Sequence, residues 1–219
     1  MNGPFHSLRD PVVGACVVGL LAVLIHLGTL SNGFVFDDIP AIVDNPVVNG
    51  SAPASEAFSR NFWGGRPGYE HVTTWRPLTS IVMRAVWATA PGSSTAFHAA
   101  SMLLHGLTTA LLFLLVAAWL GAPEAWVAAL LFAVMPTHVE AIAGAVSLAE
   151  LLTAAFYVAG LWAFWSALEH GHPIRWLAAC ACFFAALLSK EHGITWPAAA
   201  AVLYAQRFVE HRQAPNRVP

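Results

Sequence analysis

Three clusters of ionisable and hydrogen-bonding residues interrupt an otherwise apolar sequence: Asp37-Asp38, Pro136-Thr137-His138-Val139-Glu140 and Ser189-Lys190-Glu191-His192-Gly193. Adjacent carboxylates suit general-base chemistry, because a like charge and partial desolvation both raise a carboxyl pKa. Spacing alone fits a solvated acidic turn equally well. Arg76, within Trp75-Arg76-Pro77-Leu78, carries the planar fork that clamps phosphate. The same four residues also read as an exposed turn entering a helix at Pro77. Lys190 beside Glu191 offers either a second cation for an anionic ligand or an interfacial ion pair with a snorkelling lysine. His98 and His105, seven apart, share one helical face as packing partners or as substrate ligands. Glu140, Gly144 and Ser147 share a helical stripe with Glu150 close by, a polar seam turned away from lipid. No Gly-x-Ser-x-Gly or His-Glu-x-x-His motif is present, and His138-x-Glu140 is not a standard zinc-ligand spacing. A divalent cation shared by Asp37, Asp38 and Glu140 is compatible with the carboxylates, but nothing indicates a metal.

These clusters need a scaffold, and composition says which kind. Of 219 residues, 58% are hydrophobic and only 10% charged, against about a quarter charged in an ordinary soluble domain. A net charge of −2 excludes a nucleic-acid binder, which needs a basic stripe. Cys16, Cys180 and Cys182 all lie in apolar runs and read as small core fillers. About six hydrophobic segments follow one another, at 11–30, 97–120, 124–146 with a kink at Pro136, 147–168, 174–189 and 194–208. The chain therefore reads as an all-α polytopic membrane protein. Its expected regions are a tail and first span (1–30), a long extracytoplasmic loop (31–96), a bundle of about five spans (97–209) and a polar tail (210–219).

Basic residues in short loops set the orientation. With the N-terminus cytoplasmic, the inner side collects Arg9, Arg175, Arg207, Arg212 and Arg217, and the outer short loops hold only Lys190. The long loop, with Arg60, Arg66, Arg76 and Arg84, is discounted by its length. Parity then matters more than orientation. The three polar clusters close spans one, three and five, so they share a membrane face whichever way the chain is inserted. Ionisable groups near apolar helices cost about 2.5–3.5 kcal/mol each at the bilayer centre. Three such groups on one face point to a ligand site.

At these residues a resemblance emerges. Phe34-Val35-Phe36-Asp37-Asp38, followed by Ala41-Ile42-Val43 and Asn45-Pro46, resembles the first extracytoplasmic loop of the transmembrane and tetratricopeptide-repeat containing O-mannosyltransferases. These are GT-C glycosyltransferases. The resemblance continues in order through Phe62-Trp63-Gly64, Trp75-Arg76-Pro77-Leu78-Thr79, Phe97-His98 and Leu103-Leu104-His105. It then passes through Pro136-x-His138-x-Glu140, Ala149-Glu150-Leu151-Leu152 and Ser189-Lys190-Glu191-His192-Gly193-Ile194-Thr195, covering residues 31 to 205. Met135, Ser101 and Ser147-Leu148 depart from the family's His, Asn and Gly-Arg.

The resemblance implies the N-terminal part of a GT-C fold in a bacterial inner membrane or an ER-type membrane. It implies a lipid-linked donor, a polyprenyl-phosphate sugar, and a protein or glycan acceptor whose hydroxyl is glycosylated on the outer face. Asp37, helped by Asp38, is then the catalytic base. Arg76 and Lys190 hold the donor phosphate, and His138, Glu140, Glu191 and His98 orient substrate. Two other classes fit the composition: a non-catalytic membrane module or partial subunit, and a small transporter, which would call for internal pseudo-symmetry. Family members carry about twice as many spans, so dimerisation or a missing C-terminal half is expected. In that case the small and aromatic residues 198–201 and Trp196 face lipid.

Overall fold

The computed structural model describes residues 10–65, 68 and 71–213, without the side chains from 210 onward. Arg9, Arg66 and Arg217, the side chain of Arg212 and the tail beyond 213 lie outside the described residues. Eight α-helices and short 3-10 and π turns make up the described elements, with no strand among them.

Helix α1 spans Pro11–Leu24, started by Asp10, whose side chain accepts from the Val12 N–H at 2.8 Å, with proline at the first helical position. It stops before the expected residue 30 and passes into a 3-10 turn over Leu27–Ser31. His26 is one reason, since its Nδ1 donates to the Ala22 carbonyl at 2.9 Å and takes that acceptor from the backbone ladder. The expected long loop contains a helix of its own, α2 (Pro77–Thr89). Residues 32–65 fold onto it around the buried Asn45, whose amide donates to Ala41 and Phe62 carbonyls. Arg84 of α2 ties the same segment down by donating to the Val47 and Ala52 carbonyls at 2.7 and 2.8 Å.

Helices α3 (Ser94–Trp119) and α6 (Leu148–His170) are long and apolar enough to cross a membrane. Between them, α4 (Ala122–Val134) and α5 (Val139–Ala143) with its leading turn at Pro136 form a pair bent by 49° that counts as a third span if taken as one. Pro136 supplies no N–H to the ladder, which is why the bend falls there. Helices α7 (Pro173–Ser189) and α8 (Trp196–Gln213) complete the bundle. Among the described residues two helices, or three spans if the bent pair is one, are long and apolar enough to cross a membrane, against about six expected apolar segments. At 1.5 Å per residue, the 14 residues of α1 and 17 of α7 reach about 21 and 26 Å, short of the roughly 30 Å hydrocarbon core. Helix α8 is apolar only in its first turns and ends in Arg207, Glu210, His211 and Arg212.

The packing corrects two further expectations. Trp196 and Ala200 do not face lipid: they are buried with Leu161, Trp165 and Leu203. Trp196 donates to the Tyr157 carbonyl at 3.2 Å and lies against Phe164 and Phe183. Ala198 and Ala201 are exposed. Cys16 and Cys180 are also exposed, and Cys182 half-buried, so none fills the core. Helices α1 and α3 meet at glycines. A Cβ on Gly106 would stand 2.8 Å from the Gly19 carbonyl oxygen and 2.6 Å from Val23. Gly106→Ala should therefore cost about 1–3 kcal/mol by overpacking. It should be read as a lower melting temperature in detergent, and an unchanged melting temperature would contradict this helix contact.

Candidate functional site

The Asp37–Asp38 turn separates two neighbours into different environments. Asp37 is exposed, whereas Asp38 is only 2% exposed. The Asp38 carboxyl accepts from the Val35 N–H at 3.0 Å through Oδ2 and from the Val146 N–H at 2.7 Å through Oδ1. Phe36, just before the pair, has φ +45° and is 92% exposed. That backbone region is rare for a bulky residue. Asn32, Phe36, Asp37, Asp38, Glu140 and Ser147 are among the residues lining an open groove of 550 Å³.

A second cavity of 430 Å³ continues from it, lined by His105, Thr108, His138, Glu140, Ser147 and Glu150 among others. Glu140 and Ser147 border both. The sequence stripe of Glu140, Gly144 and Ser147 is not one helix face, because α5 ends at Ala143 and α6 begins at Leu148. The break nevertheless gathers these residues at the junction of the two cavities. His138 Nδ1 lies 2.9 Å from the Phe132 carbonyl, which makes Nδ1 the donor and leaves Nε2 able to accept. Its ring stands 5.4 Å from that of His105, which in turn stands 5.1 Å from His26.

Beyond Glu150 the polar path continues as ion pairs. Lys190 Nζ contacts Glu150 Oε1, and His192 Nδ1 lies 3.9 Å from Glu150 Oε2. Arg76 donates to both Glu191 oxygens, with Nη2 to Oε2 at 2.9 Å, while its guanidinium sits 5.0 Å over the Phe62 ring. Each cation side chain is 15% exposed, while Glu191 and Glu150 are 53% and 41% exposed. The carboxylates thus cover the cations. The Lys190–Gly193 turn packs this tightly because Gly193 lacks a side chain, since a Cβ there would fall 2.8 Å from the Ala186 and Leu187 backbone. Thr79 closes the corner by donating to the Ser189 carbonyl at 2.8 Å.

Burial and the Arg76 charge both hold Lys190 below the usual lysine pKa, partly offset by Glu191. Burial opposes ionisation of Glu191, but the Arg76 hydrogen bonds, a backbone N–H and the charges of Arg76 and Lys190 outweigh it and keep its pKa below 4.5. A carboxyl with a folded-state pKa below its unfolded value stabilises the fold above the unfolded value and loses that contribution as pH falls through the folded value. Melting temperature should therefore drop as pH falls past 4.5, and Glu191→Gln should shrink the drop. Equal slopes for both proteins would contradict the Arg76–Glu191 linkage.

Asp37, Asp38, His138, Glu140, Arg76, Lys190 and Glu191 thus lie along one end of the bundle, linked through Ser147 and Glu150. His98 does not join them. It is fully buried in α3, borders neither cavity, and neither its ring nitrogens nor the nearby Ser101 hydroxyl has a hydrogen-bond partner. Glu150, which the sequence places beside the seam and within Ala149-Glu150-Leu151-Leu152 without a role, joins the second cavity to Lys190. Its signal was an acid in the first turn of a long apolar helix, where the helix dipole favours it. Among the described residues no group of three or more His, Cys, Asp or Glu side chains is arranged to hold a metal.

Residues 75–214 match the family described as dolichyl-phosphate-mannose-protein mannosyltransferase. The chain is similar to protein O-mannosyl-transferase TMTC3 of Homo sapiens, 31% identical over 183 residues, which covers 82% of this chain and 20% of that protein. Protein O-mannosyl-transferase Tmtc2 of Drosophila melanogaster is 37% identical over 192 residues, covering 80% of this chain and 20% of that protein. Tmtc3 of the same fly is 33% identical over 245 residues, covering 98% of this chain and 26% of that protein. The chain spans between 20% and 26% of the length of these relatives. No solved structure matches it.

Proposed function

Because the chain belongs to the dolichyl-phosphate-mannose-protein mannosyltransferase family, we propose that it moves mannose from a polyprenyl-phosphate carrier to a hydroxyl of a protein acceptor. The observation that carries this reading is the continuity of the polar end. The exposed carboxylate of Asp37 lines the groove, Glu140 and Ser147 border both cavities, and Glu150 on the wall of the second pairs with Lys190, whose neighbour Glu191 holds Arg76.

In the proposed reaction Asp37 takes the proton of the acceptor hydroxyl. The acceptor oxygen bonds to the anomeric carbon, and the bond from that carbon to the phosphate oxygen breaks. The phosphate leaves with the electron pair. Arg76 and Lys190 hold that phosphate, because fixed cations favour the negative charge that grows on it. His138 and Glu140 orient sugar or acceptor, and Glu191 sets the angle of the Arg76 fork. The protein is multi-pass, its N-terminus is cytoplasmic, and the groove opens on the outer face, where lipid carrier and aqueous acceptor meet.

A photoreactive polyprenyl-phosphate mannose, applied to membranes containing the full chain, tests the donor site. Crosslinks should fall within 132–154 and at 190–192, and excess unmodified donor should suppress them. Crosslinks spread over the lipid-exposed faces of α1 and α7 and insensitive to competitor would contradict the proposal.

A further inference from the structure

The two adjacent acids have different jobs. We propose that Asp38 is a positioning residue, which pins the Phe36–Asp37 turn to the connection between α5 and α6 and so fixes how Asp37 meets the groove. This rests on the assignment of Asp37 as the base. A general base must come within hydrogen-bond reach of the acceptor hydroxyl. Asp38 also touches the groove wall, but at 2% exposure and with both oxygens already accepting backbone N–H groups its carboxyl is committed to the backbone, whereas that of Asp37 is exposed.

The two bonds reach in different directions. Oδ2 turns back three residues to the Val35 N–H and closes the loop containing Phe36, which the Asp38 N–H to Val35 carbonyl bond also spans at 2.9 Å. Oδ1 reaches 108 residues along the chain to Val146, next to Ser147 at the junction of the two cavities. One carboxyl therefore joins the turn that carries Asp37 to the wall that Asp37 faces. The left-handed φ of Phe36 gives the clamp something to hold. A bulky residue in that region persists only when its surroundings over-determine the turn. Release of either bond lets Phe36 relax towards negative φ and swings Asp37 away.

Asp38→Asn is the sharp variant, because its amide group keeps the shape but sets an N–H donor against the Val35 or Val146 N–H. Hydrogen exchange on the full chain in lipid nanodiscs reads the clamp without needing activity. The Val35 and Val146 amides should exchange about 10-fold faster or more in Asp38→Asn, the scale of losing a buried hydrogen bond, and at the wild-type rate in Asp37→Asn. In mannosyl transfer, Asp38→Asn should lower kcat about 10- to 100-fold, the cost of misplacing a reacting group, with donor KM and the shape of the pH profile kept. Asp37→Asn should remove the pH-dependent limb. Asp38→Glu, which keeps both acceptor oxygens, should hold the amide protection and keep kcat within a few-fold of wild type, about the scale of a small misplacement, and it serves where the asparagine variant fails to fold. Intact protection with kcat as low as in Asp38→Asn would overturn the clamp.

Wild-type exchange at both amides in Asp38→Asn would overturn the clamp. So would a pH limb lost in Asp38→Asn but kept in Asp37→Asn. Unchanged turnover in Asp37→Asn, alongside freed amides in Asp38→Asn, would sink the base assignment and leave the clamp standing.

Discussion

Asp37→Asn should lower mannosyl transfer by about 10²- to 10⁴-fold, the range for losing a general base. The substitution keeps size and hydrogen-bonding shape and removes only the ability to take a proton. Asp37 is the exposed member of the acidic pair and borders the groove with Glu140 and Ser147. Donor affinity should change little, since the phosphate is assigned to Arg76 and Lys190 and not to Asp37. The loss should therefore appear in kcat, with the donor KM near its wild-type value. A variant that turns over at the wild-type rate would return Asp37 to a solvated turn residue.

Arg76→Ala should act on the other parameter, raising the apparent donor KM about 10- to 100-fold, the equivalent of losing one or two charge-assisted hydrogen bonds. Glu191 already presents two oxygens to this guanidinium, and Phe62 lies beneath it. A phosphate arriving there must share the fork with Glu191 or displace it. Glu191→Gln should therefore loosen the fork while removing a competing anion, and its KM should change far less than that of Arg76→Ala. Arg76→Lys should not restore affinity, since a point charge lacks the bidentate geometry. An Arg76→Ala protein that loses kcat at unchanged KM would remove Arg76 from the donor site.

The grouping of these polar clusters is legible in the sequence. Parity put the acidic pair, the His138–Glu140 cluster and the Lys190–Glu191 cluster on one face, and Pro136 marked the bend that turns α5 towards α6. The environments of single residues were not legible. Nothing in the dipeptide Asp37-Asp38 distinguishes a buried acceptor of two backbone N–H groups from an exposed base, because the distinguishing partner, Val146, lies 108 residues away. The same limit applies to Arg76 and Glu191, 115 residues apart. Hydropathy runs and helices part company at the end of α1. Ile25, Leu27 and Leu30 continue the apolar run, yet His26 captures the Ala22 carbonyl and the helix ends. Trp196 was misplaced for a related reason, since its partners Tyr157, Phe164 and Phe183 come from two other helices.

The central claim is sugar transfer, and radiolabelled mannose tests it most directly. Membranes containing the chain, alone and together with the remaining portion of a matched relative, would be given polyprenyl-phosphate [³H]mannose and a Ser/Thr-rich acceptor polypeptide. The account predicts acid-stable, alkali-labile label in the acceptor that disappears with Asp37→Asn. Label that persists undiminished in Asp37→Asn would contradict it. So would an unlabelled acceptor under conditions where the intact relative transfers mannose.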